Sequence, residues 1–281
     1  MNLAWSSFLV VVSAGAAMAA LLLVRRRSPH GGHFDDTGRA AGVFSILATS
    51  FAVLFAFVVF LAYGSYDRSS ASAESEAQAV TQQFETAQLL PAEAGPELSA
   101  ELRCYAISVI EQEWPEMAKG DVPALNPWGV RLFLTLQRVD PATPTEQAAY
   151  AQWLDQSSAR EQARAERTLG EDGVIPTPLW FVLLISAGIV LAFVFLFADR
   201  GEGAVVQAIL VGSVTAMLVA GLLVIRFLDF PFHPGSGSLR PVAMEESLVQ
   251  IDQASELLGL DLPDLCDSDG VARAPLGSAE G

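Results

Sequence analysis

Four stretches of this chain lack any Asp, Glu, Lys, Arg or His: 3–24, 41–63, 179–198 and 204–225. A charge-free apolar run of that length, at about 1.5 Å rise per residue, crosses a hydrocarbon core of roughly 30 Å. The same lack excludes functions. A proton relay or ion-coupled carrier keeps a carboxylate, lysine or histidine inside a span, and none is there. Two cysteines in 281 residues are too few for a disulfide framework. No P-loop, GxSxG, HExxH or CxxC pattern occurs, so nothing supports an enzyme or a cofactor. Basic residues number 16 against 32 acidic ones, a formal net charge of −16. That balance disfavours nucleic acid and anionic lipid and concentrates cations.

The apolar runs divide the chain into a first transmembrane hairpin (1–65), an acidic helical domain (66–177), a second hairpin (178–226) and an acidic tail (227–281) whose end, 268–281, reads as disordered. The fold class that follows is an all-α integral membrane protein: four transmembrane helices with a helical extramembrane domain between spans 2 and 3. The first run is read as a retained helix and not a signal peptide, because Arg25, Arg26 and Arg27 follow it instead of preceding it. Block 67–174 carries 8 basic and 18 acidic residues, whereas the short loop 25–40 has four arginines against Asp35 and Asp36. The positive-inside rule puts that loop in the cytoplasm and the acidic domain outside a plasma membrane. Cys104 and Cys266 fall on the same side. They pair there if that side is oxidising; otherwise they are a half-buried helix cysteine and an unrelated tail cysteine.

The acidic block reads as helices. Residues 66–90 contain no Gly or Pro, and Ala73, Ala77, Val80, Phe84 and Ala87 form one apolar stripe. This helix continues the second span. A second covers about 97–117 with Leu102, Val109 or Ile110, and Trp114 inward, and a third about 127–139. The fourth opens on Thr143-Pro144-Thr145-Glu146, a capping box. Its C-terminal half, with Arg160, Arg164 and Arg167 among acids, reads as solvated and leads towards the third span. Residues 244–258 form one short helix.

Small residues recur at helical spacing in the spans: Ala208, Gly212, Ala216 and Ala220 in the fourth, Ala48, Ala52 and Ala56 in the second. Such ridges let helices approach closely, within one chain or between copies. Phe44, Phe51 and Phe55 share a face of the second span. From several copies they would form a hydrophobic constriction; in one chain they are packed or lipid-facing aromatics. His30, His33, Asp35 and Asp36 offer a metal-ligand spacing, with a solvated loop and a helix cap as the alternative. Asp267-Ser268-Asp269-Gly270 lacks both essential carboxylates of a calcium loop and is rejected. Glu111, Glu113 and Glu116 around Trp114-Pro115 form an acidic, aromatic helix end, by default a surface, otherwise a cation or partner site.

These segments together resemble a family of bacterial four-span proteins, catalogued as the domain of unknown function DUF4239 and also called bestrophin-like. The resemblance rests on His33 and Asp35 before the second span, on Tyr66 and Asp67 with Glu74 and Glu76 after it, and on the run Glu111 to Gly120 that includes Glu113, Trp114 and Pro115. Asp229, Pro231 and Phe232 after the fourth span complete it. It implies a ring of subunits around an ion pore, with the second span facing the axis. Bestrophins place their helical domain in the cytoplasm, whereas Arg25–Arg27 points to the other side here. The sequence thus predicts a multi-pass, non-enzymatic membrane protein whose partners are the lipid bilayer, further copies of itself and inorganic cations. The alternative is a membrane-anchored sensor or scaffold whose helical domain binds a partner.

Overall fold

The computed structural model describes residues 2–29, 33–171 and 173–273. They form α1 (Leu3–Arg25), α2 (Thr37–Ala87), α3 (Gly95–Ser108), a π-helix (Val109–Glu113), α4 (Trp114–Met117), α5 (Pro127–Leu136), α6 (Pro144–Thr168), α7 (Thr177–Leu196), α8 (Ala204–Asp229) and α9 (Val242–Leu258). The protein is an all-α membrane protein: α1, the first part of α2, α7 and α8 are the four apolar spans. His30 and residues 274–281 lie outside the described residues.

The chain divides into two units. One comprises residues 1–66 and 173–238, the other 67–172 and 239–281, and α2 contributes to both. In the first, Val58 and Ala62 of α2 pack with Leu183 of α7 and with Ile225 and Leu228 of α8. Ala17 and Leu21 of α1 meet Val211 and Ala208 of α8. Met18 lies against Gly212, where a Cβ would sit 3.0 Å from its sulfur. The α8 ridge is therefore used inside the chain, to seat α1. Ala52 and Ala56 of α2, in contrast, remain exposed.

In the second unit, the stripe on α2 buries Ala77, Val80, Phe84 and Ala87, and Leu98, Leu102 and Val109 are buried as well. The capping box at Thr143 opens α6. Asn126 caps α5 by accepting from the amides of Trp128 and Gly129. Gly259 closes α9 in the left-handed conformation, φ 63°.

Three expectations need correction. The helix expected over 97–117 is interrupted by the π-turn at Val109–Glu113. The fourth block helix does not run into the third span: α6 ends at Thr168, before Gly173 (φ 76°) and Pro176 turn the chain. The tail is not separate or loose up to Arg273. Cys104 and Cys266 form a disulfide, Trp128 Nε1 donates to the Gly270 carbonyl at 2.7 Å, and residues 239–273 belong to the helical unit. The composition of 268–273 is that of a disordered end, but a covalent bond and a buried indole hold it.

Candidate functional site

Two arrangements carry the sequence-predicted residues. The first is a buried ion-pair ladder in the helical unit. Arg160, Arg164 and Arg167 stand four and three residues apart, so they share one face of α6. That face is buried, against the expectation of a solvated one. Arg167 forks onto Glu76 through Nε and Nη2, the latter at 3.0 Å from Oε1, and its Nη2 also donates to Glu113 Oε2 at 2.7 Å. Arg164 donates to Glu113 Oε1 through Nε (2.9 Å) and Nη2 (2.8 Å) and reaches the Pro123 and Ala124 carbonyls. Asn126 Nδ2 joins Glu113 at 2.9 Å, and the Tyr105 hydroxyl donates to Glu76 at 2.7 Å. Arg160 bonds Gln83 at 2.8 Å and lies over the Tyr105 ring, as Arg167 lies over Trp114.

The electrostatics follow from this geometry. Burial works against the charge on Glu113, but Arg167 and Arg164 outweigh it and hold the carboxyl below its ordinary value. Burial, and then the Glu76 charge, push the Tyr105 hydroxyl up. Burial opposes the Arg167 charge, yet Glu76 and Glu113 raise it further above its ordinary value. Glu76 and Glu113 are thus spent on guanidinium groups and are not open cation ligands. Glu111 beside them is exposed, and Pro115 is an exposed residue of the first turn of α4.

Glu101 on α3 contrasts with them. Its Oε1 accepts from Arg131 Nε (3.0 Å) and Thr135 Oγ1 (2.8 Å), while its buried Oε2 has no partner among the described residues. Burial pushes this carboxyl up to about 7.

The second arrangement is α2 within the membrane. Phe44 lies against Phe193 of α7 and Phe197 just after it, Phe51 against Phe55, and the Phe55 ring against Gly221 of α8. Phe44 and Phe55 therefore pack against other spans of their own chain, whereas Phe51 touches its helix neighbour Phe55. The opposite face is open. Ser45, Ile46, Thr49, Ser50, Val53 and Phe57 line an exposed groove there with Leu54. The Ser45, Thr49 and Ser50 hydroxyls make no hydrogen bond to another described residue. Phenylalanines stand out in a sequence, whereas serine and threonine are common in spans; the signal that finds this face is their spacing with Val53 and Phe57.

The remaining motif residues are structural. His33 and Asp35 are exposed, and Asp36 accepts from the Arg39 amide at the start of α2. No group of three metal ligands occurs among the described residues. Tyr66 donates to the Gly237 carbonyl at 2.9 Å. Asp67 and Glu74 are exposed, and Pro231 and Phe232 are buried. Asp229 is buried: Oδ1 accepts the amides of Val174 (2.8 Å) and Ile175 (2.9 Å), and Oδ2 the Trp180 indole at 3.2 Å.

This is the architecture of a four-span helical membrane protein with a helical domain between spans 2 and 3. Residues 11–244 match the model of the Bestrophin-like domain, and the chain belongs to that family. Its fold is shared by solved structures. A bacterial bestrophin homologue from Klebsiella pneumoniae, phased on zinc, aligns with a TM-score of 0.65 at 13% identity, over 90% of this chain and 99% of the other. The same homologue carrying a point substitution aligns at 0.64 and 13%, over 88% and 98%. A membrane protein carrying a different substitution aligns at 0.65 and 12%, over 90% and 99%. No curated protein matches the chain.

Proposed function

We propose that the protein is an oligomeric, non-enzymatic ion pore of the bilayer, with the open face of α2 towards the axis. The observation that carries this reading is the hydroxyl face of Ser45, Thr49 and Ser50. Hydrocarbon gives such groups nothing to bond, so they favour a position facing water or another copy. Four spans of one chain do not enclose a wet path, and a ring of copies does. Val53 and Phe57, one and two turns on, then form the apolar constriction. The acidic excess of the helical unit favours inorganic cations near the entrance. The Cys104–Cys266 disulfide supports an oxidising compartment for that unit. It agrees with a cytoplasmic Arg25–Arg27 loop in a bacterial plasma membrane.

The test is native mass spectrometry of the detergent-purified protein, followed by bilayer recording. A ring of four or more copies in which Phe57→Ala raises leak conductance supports the pore. A monomer or dimer overturns it. An effect of Phe51→Ala and not of Phe57→Ala would put the other face of α2 on the axis.

A second reading is a membrane-anchored binding domain. It is favoured by the helical unit having its own buried core and disulfide. A soluble, folded form of that unit that captures a partner would support it.

A further inference from the structure

We propose that residues 264–273 form a thiol-sensitive strap, closed over the junction of α3, the π-helix and α5 by the Cys104–Cys266 bond and released by a dithiol reductant. The strap is a tight loop. Asp267 and Val271 bond each other twice, with Asp267 N–H donating to the Val271 carbonyl at 3.0 Å and Val271 N–H to the Asp267 side-chain Oδ1 at 2.8 Å. Arg273 N–H donates to the Leu265 carbonyl at 3.0 Å.

Its tip lies directly on the helices. A Cβ on Gly270 (φ 76°) would come within 2.6 Å of the Ser108 amide nitrogen. The Gly270 carbonyl accepts the buried Trp128 indole N–H, and the Asp269 carbonyl accepts from Gln112 Nε2 at 2.7 Å. Beneath the tip, Ser108 Oγ accepts from Asn126 Nδ2 at 3.3 Å, and the same Asn126 amide group donates to Glu113. The strap therefore covers one end of the buried ion-pair ladder.

The strap has few apolar anchors of its own. Its hold is one covalent bond and a few hydrogen bonds, each worth about 1 kcal/mol net. The loop-closure entropy removed by a cross-link 162 residues apart belongs to the unfolded chain; in the folded one the bond tethers only the stretch beyond α9, and breaking it frees that stretch.

The bond also has an approach. Cys104 and Cys266 are buried, and Cys266 is the one that borders a surface cleft of about 530 Å³ between α3, α9 and the strap, beside Arg103, Asp264 and Arg273. A thiolate of the reductant attacks Cys266 Sγ from this cleft, and the electron pair of the broken S–S bond leaves on Cys104. The reductant's second thiol then displaces Cys266 from the mixed disulfide. The products are two protein thiols and the oxidised reductant, a transfer of two electrons and two protons.

Hydrogen exchange of the full-length protein in detergent tests this, with and without dithiothreitol, with intact mass reporting the two hydrogens gained. Exchange at the amides of Asp267, Gly270, Val271 and Arg273 is expected to accelerate roughly tenfold or more on reduction, while the capped start of α6 is unchanged. A C104S/C266S variant is expected to show the fast rate without reductant. If that variant does not fold, Gly270→Ala keeps the disulfide and is expected to lift the tip alone. Three results overturn the proposal: a disulfide that native protein does not yield to dithiothreitol, verified reduction without faster exchange in the strap, or reduction that accelerates the whole helical unit together.

Discussion

Arg167 and Glu76 form a doubly hydrogen-bonded pair in which neither side chain is exposed, although 91 residues separate them. One comes from the helix that continues the second span, the other from the last helix of the block. Their pairing fixes α6 against α2, and Glu113 joins through the same guanidinium.

Removing Arg167 leaves two buried carboxylates short of a partner. Arg167→Met is expected to destabilise the helical unit by about 3–5 kcal/mol, the usual cost of breaking a buried pair from one side. Adding Glu76→Gln should recover part of that loss. Thermal unfolding in detergent measures both, and equal midpoints for Arg167→Met and wild type would show that the ladder contributes nothing.

Glu101 predicts a pH dependence. Its folded carboxyl is raised from 4.5 to about 7, so the unfolded chain gives up this proton first. The folded state binds more protons in between, and stability falls as pH rises through that window. Glu101→Gln should therefore raise the melting midpoint above pH 7, with the advantage shrinking towards pH 4.5. A pH-independent difference would assign the effect to packing.

Asp229 carries the third prediction. Asp229→Ala leaves the Val174 and Ile175 amides without their acceptor and frees the Trp180 indole. The expected cost is about 1–3 kcal/mol for each buried donor left unmade. Hydrogen exchange at residues 174 and 175 should rise first. Asp229→Asn, which keeps one acceptor oxygen, should cost less.

The fourth concerns α2 against α8. The Phe55 ring occupies the space that a side chain on Gly221 would take. Gly221→Val is expected to lower the melting midpoint, and adding Phe55→Ala to restore part of it, a coupling that a double-mutant cycle reads directly.

The spans, the continuation of α2 into the block, the capping box at Thr143 and the helix at 242–258 were legible because each rests on a local pattern: uncharged length, a stripe, or a cap. The ladder was not. Arg160, Arg164 and Arg167 alternate with Glu161 and Glu166, a mixture that ordinarily faces water. Only their common face, four and three residues apart, hints that they point together, and only their partners on other helices make burial tolerable. Glu76 and Glu113 were singled out by family resemblance, but their shared guanidinium depends on tertiary structure. The face of the Phe44, Phe51 and Phe55 rings was legible, though not the side to which it turns. The cysteines were left open because a pair 162 residues apart has no local signature.

The π-turn has a consequence for how this chain tolerates gain or loss of residues. Val109 and Met117 are both fully buried, yet they stand eight positions apart, where a regular helix would turn the second about 80° away from the first. The wide turn absorbs one surplus residue, as π-bulges do. Deleting one codon at the exposed Glu111 would let the segment close as an ordinary helix with both flanks still facing inward. The same deletion in the middle of α3 would swing everything after it by about 100°. The surplus residue thus sits where the flanking register survives its loss.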